Sequence, residues 1–170
     1  YQSKNSLDPV DSYVLDDYFA LLDDTEGDWK LGGNNPDKMD ISMGRFPVQT
    51  QEEAQGIVNK IKAYYSQKSF GDWRNEIVFV GDDEDGVTHM SQSNQLAAIV
   101  EYYNKVYNLK KLFLDAFQQI STASGDRYPA ANEAIRRSVE NGALIINYTG
   151  HGGETGWAHE RILDISTITA

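Results

Sequence analysis

No cysteine occurs among the 170 residues, so no disulfide braces this chain and no thiolate nucleophile lies within it. Long apolar runs are missing too: nothing approaches the roughly 20 consecutive apolar residues of a membrane-spanning helix. Basic charge is scarce. Fifteen Lys and Arg stand against 26 Asp and Glu, a net charge of -11, which argues against nucleic acid and against an anionic membrane surface as partners. Known nucleophile and phosphate motifs are absent as well. There is no G-x-S-x-G elbow, and the stretch GHGGETG after an apolar run lacks the lysine and the glycine spacing of a Walker or dinucleotide loop. In the acidic stretches DDTEG and DDEDG the glycine falls one place too early for an EF-hand.

What is present is unevenly spread. At 40% hydrophobic, 170 residues suffice for one domain with a substantial core. Ten acidic residues lie between Asp8 and Asp40 against only Lys30 and Lys38, which reads as a solvated surface, with a cation site as the alternative. Residues 1–37 are acidic and rich in turn signals and read as a loop-rich lead-in carrying one short aromatic segment, DDYFALL.

Regular structure is expected from residue 38 on. MDISMGRFPV (39–48) alternates in part and reads as a strand ending at Pro47. Thr50 with Glu53 forms a capping box ahead of a helix over about 51–66. The continuous run Ile77–Val80 reads as a buried parallel strand ending in glycine and four acids. Helical spacing recurs over 91–107, KLFLDA reads as a third strand, and Pro129 opens a helix that Asn141-Gly142 stops. ALIINYTGHGG is the fourth strand and its loop. Strands alternating with helices predict an α/β fold with a mostly parallel sheet and helices on both faces. Chemistry in such sheets gathers at the carboxyl ends of the strands, here Gly81 to Gly86 and Gly150 to Gly153.

Only three histidines are available for that chemistry. His151 stands in TGHGG at the end of the fourth strand, where a general base belongs if a neighbouring strand delivers the nucleophile. A turn histidine bonded only to backbone is the competing reading. Gly152 and Gly153 add backbone N–H groups for a developing oxyanion. Asp82 or Asp83, at the end of the second strand, could orient the imidazole. Zinc held by His89, His151 and His159 is disfavoured, because no HExxH or tight ligand spacing occurs. Trp157 beside the loop reads as packing. The chain thus owns a base and no nucleophile.

The stretch GALIINYTGHGGETGWAHERIL resembles the catalytic-histidine segment of the C25 peptidases, the gingipain family of caspase-like cysteine proteases. DDYFALLDDTEGDW, DISMGRFPVQTQEEAQGIVNKIKAYY, GDWRNEIVFVGDDEDG and STASGDRYPAANEAI are similar, in the same order, to its PorU-type sortase branch, which serves the type IX secretion system. The resemblance implies a caspase-like catalytic domain over 38–170 whose cysteine-bearing part lies beyond this chain, leaving these 170 residues inactive alone. It implies His151 as catalytic base, the Gly152 N–H as half of an oxyanion hole, and Asp83, or failing that Asp82, as the acid steadying the histidine. His89 falls near the arginine-selecting acid of gingipains and is not acidic, so arginine preference does not carry over. The implied partners are secreted cargo proteins with carboxyl-terminal signals and other secretion components, at an outer-membrane, outward-facing cell surface. No cofactor is implied beyond a structural calcium near the acidic amino-terminal loops. An ordinary gingipain-like endopeptidase and a non-catalytic binding module remain the alternatives.

Overall fold

A computed structural model describes residues 16–26 and 37–169. The chain divides into two compact units after Ser66. Much of the acidic amino-terminal stretch, and with it the calcium expected there, lies outside the described residues.

In the first unit a single 3₁₀ turn, Asp17–Ala20, precedes an extended segment and helix α1, Gln51–Tyr64. Thr50 caps α1 as expected: its side chain accepts from the Glu53 N–H at 3.1 Å, and the Glu53 carboxylate accepts from the Thr50 N–H at 3.2 Å. The strand expected over 39–48 does not form among the described residues. Its polar groups are engaged otherwise. Asp40 donates its N–H to the Ala20 carbonyl and accepts the Leu22 N–H on its carboxylate, Arg45 forks onto Asp16 through Nε and Nη2, and Pro47 has no N–H for a ladder. Arg45 holds the Asp16 carboxyl below the usual range.

The second unit carries the sheet. Strands β1 (Glu76–Gly81), β2 (Asn108–Phe113) and β5 (Ile145–Thr149) lie in the order β2-β1-β5, parallel throughout. The apolar run of β1 puts it in the centre, buried from Ile77 to Gly81. Alternate residues face opposite layers. Ile77 and Phe79 pack with Ala97 of α2 (Thr88–Tyr103), whereas Val78 and Val80 share a core with Ala131 and Ile135 of α3 (Pro129–Asn141). The parallel sheet with helices on both faces is therefore as expected, with three strands in place of four.

Boundaries shift where pairing decides them. β2 starts at Asn108, ahead of KLFLDA, because its register follows β1 residue by residue from Glu76↔Asn108 to Gly81↔Phe113. Leu114–Ala116 then turns as 3₁₀. Helix α2 begins earlier than expected, right after left-handed Val87, and is capped at Asn104. A short hairpin, β3 (Ile120–Thr122) with β4 (Gly125–Arg127), precedes α3. Beyond β5, the strands β6 (Gly152–Gly153), β7 (Gly156–Trp157) and β8 (Leu163–Asp164) make a small antiparallel sheet that leads into the short helix α4, Ile165–Thr169. No helix among the described residues is long and apolar enough to cross a membrane.

Candidate active site

The parallel register sets the ends of β1 and β5 side by side, Gly81 against Thr149. The ladder runs one bond further, from the Asp82 N–H to the Thr149 carbonyl at 3.0 Å. Asp82 is thereby fully buried, and its Oδ2 accepts the His151 backbone N–H at 3.0 Å. The Tyr148 hydroxyl spans Asp82 Oδ2, at 3.3 Å, and the His151 carbonyl. Tyr148 stacks on Trp157 with centroids 4.6 Å apart and planes 3° from parallel, so Trp157 packs as expected. Burial, with the Asp82 charge second, pushes the Tyr148 phenol upward, which keeps it a neutral donor. The histidine is thus presented by a loop anchored through its backbone, and its ring is left for other work.

That ring meets Asp85. His151 Nε2 lies 2.7 Å from Asp85 Oδ2, and the same oxygen receives His89 Nε2 at 3.2 Å from the first turn of α2. The hydrogen bond to the Asp85 carboxylate raises the His151 pKa above its ordinary value, and the same bond lowers that of Asp85. The backbone makes this reach happen: Asp85, Gly86 and Val87 all have positive φ (55°, 60° and 69°), so the loop doubles back over the strand ends. His89 sits edge-on to His151 with centroids 5.0 Å apart, and His159 lies nearly parallel at 6.1 Å. His159 Nδ1 bonds Glu84 Oε1 at 2.6 Å, which raises the His159 pKa.

Asp83, the acid expected to steady His151, turns the other way. Its Oδ2 accepts the Tyr128 hydroxyl at 2.6 Å, across the entry to α3. The reason is alternation: Asp82 and Asp83 leave the strand on opposite sides, one toward the histidine backbone and one toward α3, and neither reaches the imidazole. The ring partner comes two residues later, and the Asp-Gly turn signal at 85–86 was its only mark in the sequence.

Gly152 lies in β6 next to His151, exposed, and a side chain added there would meet only the Gly156 carbonyl at 3.7 Å. His151, Gly152, Gly153, Gly156, His159 and Arg161 are among the residues around a cleft of about 300 Å³. Two groups of side chains have the donors for a metal ion, Asp85 with His89 and His151, and Asp82 with Asp83 and Glu160. An ion in the first would take the imidazole nitrogen that Asp85 now holds.

Asparagine at position 85 removes the charge that steadies the imidazolium. Asp85→Asn is expected to return the His151 pKa toward about 6.5, read from its ring resonances in an NMR titration. The wild-type pair stabilises the fold below the ordinary imidazole pKa, and this contribution fades as pH rises through the raised value. An unmoved His151 titration in the variant would show that Asp85 does not govern the ring.

The family model of peptidase family C25 matches residues 1–170. No curated protein and no solved structure matches the chain.

Proposed function

The chain belongs to peptidase family C25, a family of cysteine peptidases, and from that premise we propose that His151 is the general base of a sortase-type endopeptidase or transpeptidase acting in type IX secretion. The observation that carries the reading is the Asp85–His151 pair at 2.7 Å. It occupies Nε2, while Nδ1 has no hydrogen-bond partner among the described residues. A cysteine peptidase needs such a nitrogen to take the thiol proton.

In this scheme Nδ1 accepts the proton of a cysteine that lies outside these 170 residues, and Asp85 stabilises the resulting imidazolium. The thiolate attacks the scissile carbonyl, and the N–H of Gly152 receives the negative charge that develops on its oxygen. The imidazolium then returns its proton to the departing amine, leaving a thioester. Water completes hydrolysis, or an amine acceptor completes transfer. Arginine-directed selection is not part of this reading, because His89, near where the resemblance places the arginine-selecting acid, is a histidine tied to Asp85. The proposed substrates are secreted proteins bearing carboxyl-terminal signals, met with other secretion components at the outer-membrane surface.

The test is to incubate the full-length protein with a cargo protein bearing its carboxyl-terminal signal and to map products by mass spectrometry, with and without an added amine. Signal removal that stops on thiol alkylation, with transfer to the amine, is the expected result. Cleavage at internal sites with the signal ignored would make it a general endopeptidase. No cleavage, with a correctly folded protein, would leave a binding module.

A further inference from the structure

The second carboxylate group lies beneath the histidine loop and takes no part in the contacts of the imidazole ring. Asp82 is fully buried, Glu160 is 7% exposed and Asp83 is half-buried. One carboxylate oxygen from each lies within 4.8 Å of one from each of the others. Donors reach these groups only in part. Asp82 is bonded on Oδ2 by the His151 N–H and the Tyr148 hydroxyl and on Oδ1 by the Glu84 N–H at 3.5 Å, Asp83 Oδ2 by Tyr128, and Glu160 Oε1 by Gln119 Nε2 at 3.1 Å. Asp83 Oδ1 and Glu160 Oε2 are buried without any hydrogen-bond partner. No basic side chain forms an ion pair with any of the three among the described residues.

Such an arrangement is costly as it stands. An ionised carboxylate out of water needs a partner or a countercharge, and like charges this close oppose one another. Asp83 Oδ1 and Glu160 Oε2 are left here with nothing to accept. We propose that Asp82, Asp83 and Glu160 form a buried site for a hard divalent cation of the calcium type.

The donor set selects the ion. Three carboxylates with no nitrogen or sulfur suit calcium or magnesium over zinc. Calcium takes about six to eight oxygens at about 2.3–2.6 Å in flexible geometry, whereas magnesium demands a near-ideal octahedron and keeps several waters, so a buried all-carboxylate set points to the calcium type. Oxygens within 4.8 Å of one another are close enough to share one such ion. Through Asp82 the ion would also fix the oxygen that holds the His151 N–H, locking the loop that carries the histidine. Burial, reinforced by the charges of Asp83 and Asp82, pushes the Glu160 carboxyl upward, as expected where the countercharge is missing.

The experiment is calorimetric titration of the chelator-stripped protein with calcium chloride. Wild type is compared with Glu160→Gln, with Asp83→Asn in case the first variant fails to fold, and with exposed Glu154→Gln as control. Each cluster variant is expected to bind one calcium fewer per chain, or to lose at least tenfold in affinity at one site, and to gain less in melting temperature on calcium addition. Glu154→Gln should match wild type. Unchanged stoichiometry and affinity in both cluster variants would overturn the proposal, even if calcium binds elsewhere on the chain. A wild type that takes up no calcium, with Glu160→Gln melting higher at neutral pH, would overturn it too and would show a shared proton in the ion's place. None of these readouts depends on peptidase activity.

Discussion

His151→Ala is expected to lower kcat/KM of the full-length peptidase by at least about 10³-fold, because general base and later general acid are lost together. The loss should fall on kcat with KM little changed, since a ring that moves protons contributes mainly to the transition state. Stability should be nearly unaffected at a pH above the raised His151 pKa, where the pair with Asp85 no longer contributes. The His151 side chain is 49% exposed, and the tie that fixes the loop runs from the backbone N–H of residue 151 to Asp82, which alanine retains. The rate at which a small alkylating agent modifies the enzyme's thiol near neutral pH should drop in parallel, as fewer thiols are ionised without the imidazole. Activity within threefold of wild type would remove His151 from the mechanism, and no adjustment of the roles of Asp85 or Gly152 would save the scheme.

Gly150→Ala is expected to be the most damaging single-methyl change in the second unit. A Cβ at this position would stand 2.3 Å from Asp82 Cβ and 2.5 Å from the Tyr148 hydroxyl oxygen. Neither neighbour is a loose chain end. Asp82 is fixed by its own N–H bond to the Thr149 carbonyl, and Tyr148 is stacked on Trp157. Relief therefore requires the ends of β1 and β5 to part, at a cost of about 2–4 kcal/mol. For a chain of this size that is a fall of roughly 5–15 °C in melting temperature. Activity should fall with it, as the His151 N–H leaves Asp82. Gly153→Ala is the control, because an added Cβ there meets nothing within 4 Å. A Gly150→Ala protein melting within 2 °C of wild type would show that the strand ends yield more readily than their bonds imply.

These two positions also mark what the sequence could disclose. The histidine loop was legible because its signal is local: an apolar run, a break at glycine, and one scarce residue type exposed at the break. Central β1 and helix α3 were legible for the same reason, with β-branched residues on one side and Pro129 and Asn141-Gly142 on the other. The segment 39–48 shows the limit. Its alternation is real, but a strand exists only with a partner, and pairing depends on residues far along the chain. The partner of the imidazole was misread from Asp83 to Asp85 because extended alternation cannot continue through three successive positive φ values, and composition does not reveal where a loop turns left-handed. Glu160 was invisible altogether. Between His159 and Arg161 it reads as surface, and only the fold of the β7–β8 turn carries it inside.

The order β2-β1-β5 leaves β5 with one flank unpaired among the described residues, and Ile145 on it is 51% exposed. A neighbour laid along that flank would act as a vernier for the chemistry. Each step of one residue moves a side chain about 3.3 Å along the rail and turns it to the opposite face. A thiol delivered from there would meet the imidazole at a single setting and miss it at those on either side. Switching such an enzyme on or off would then require no change at the histidine, only a slip of one notch in whatever lies beside it.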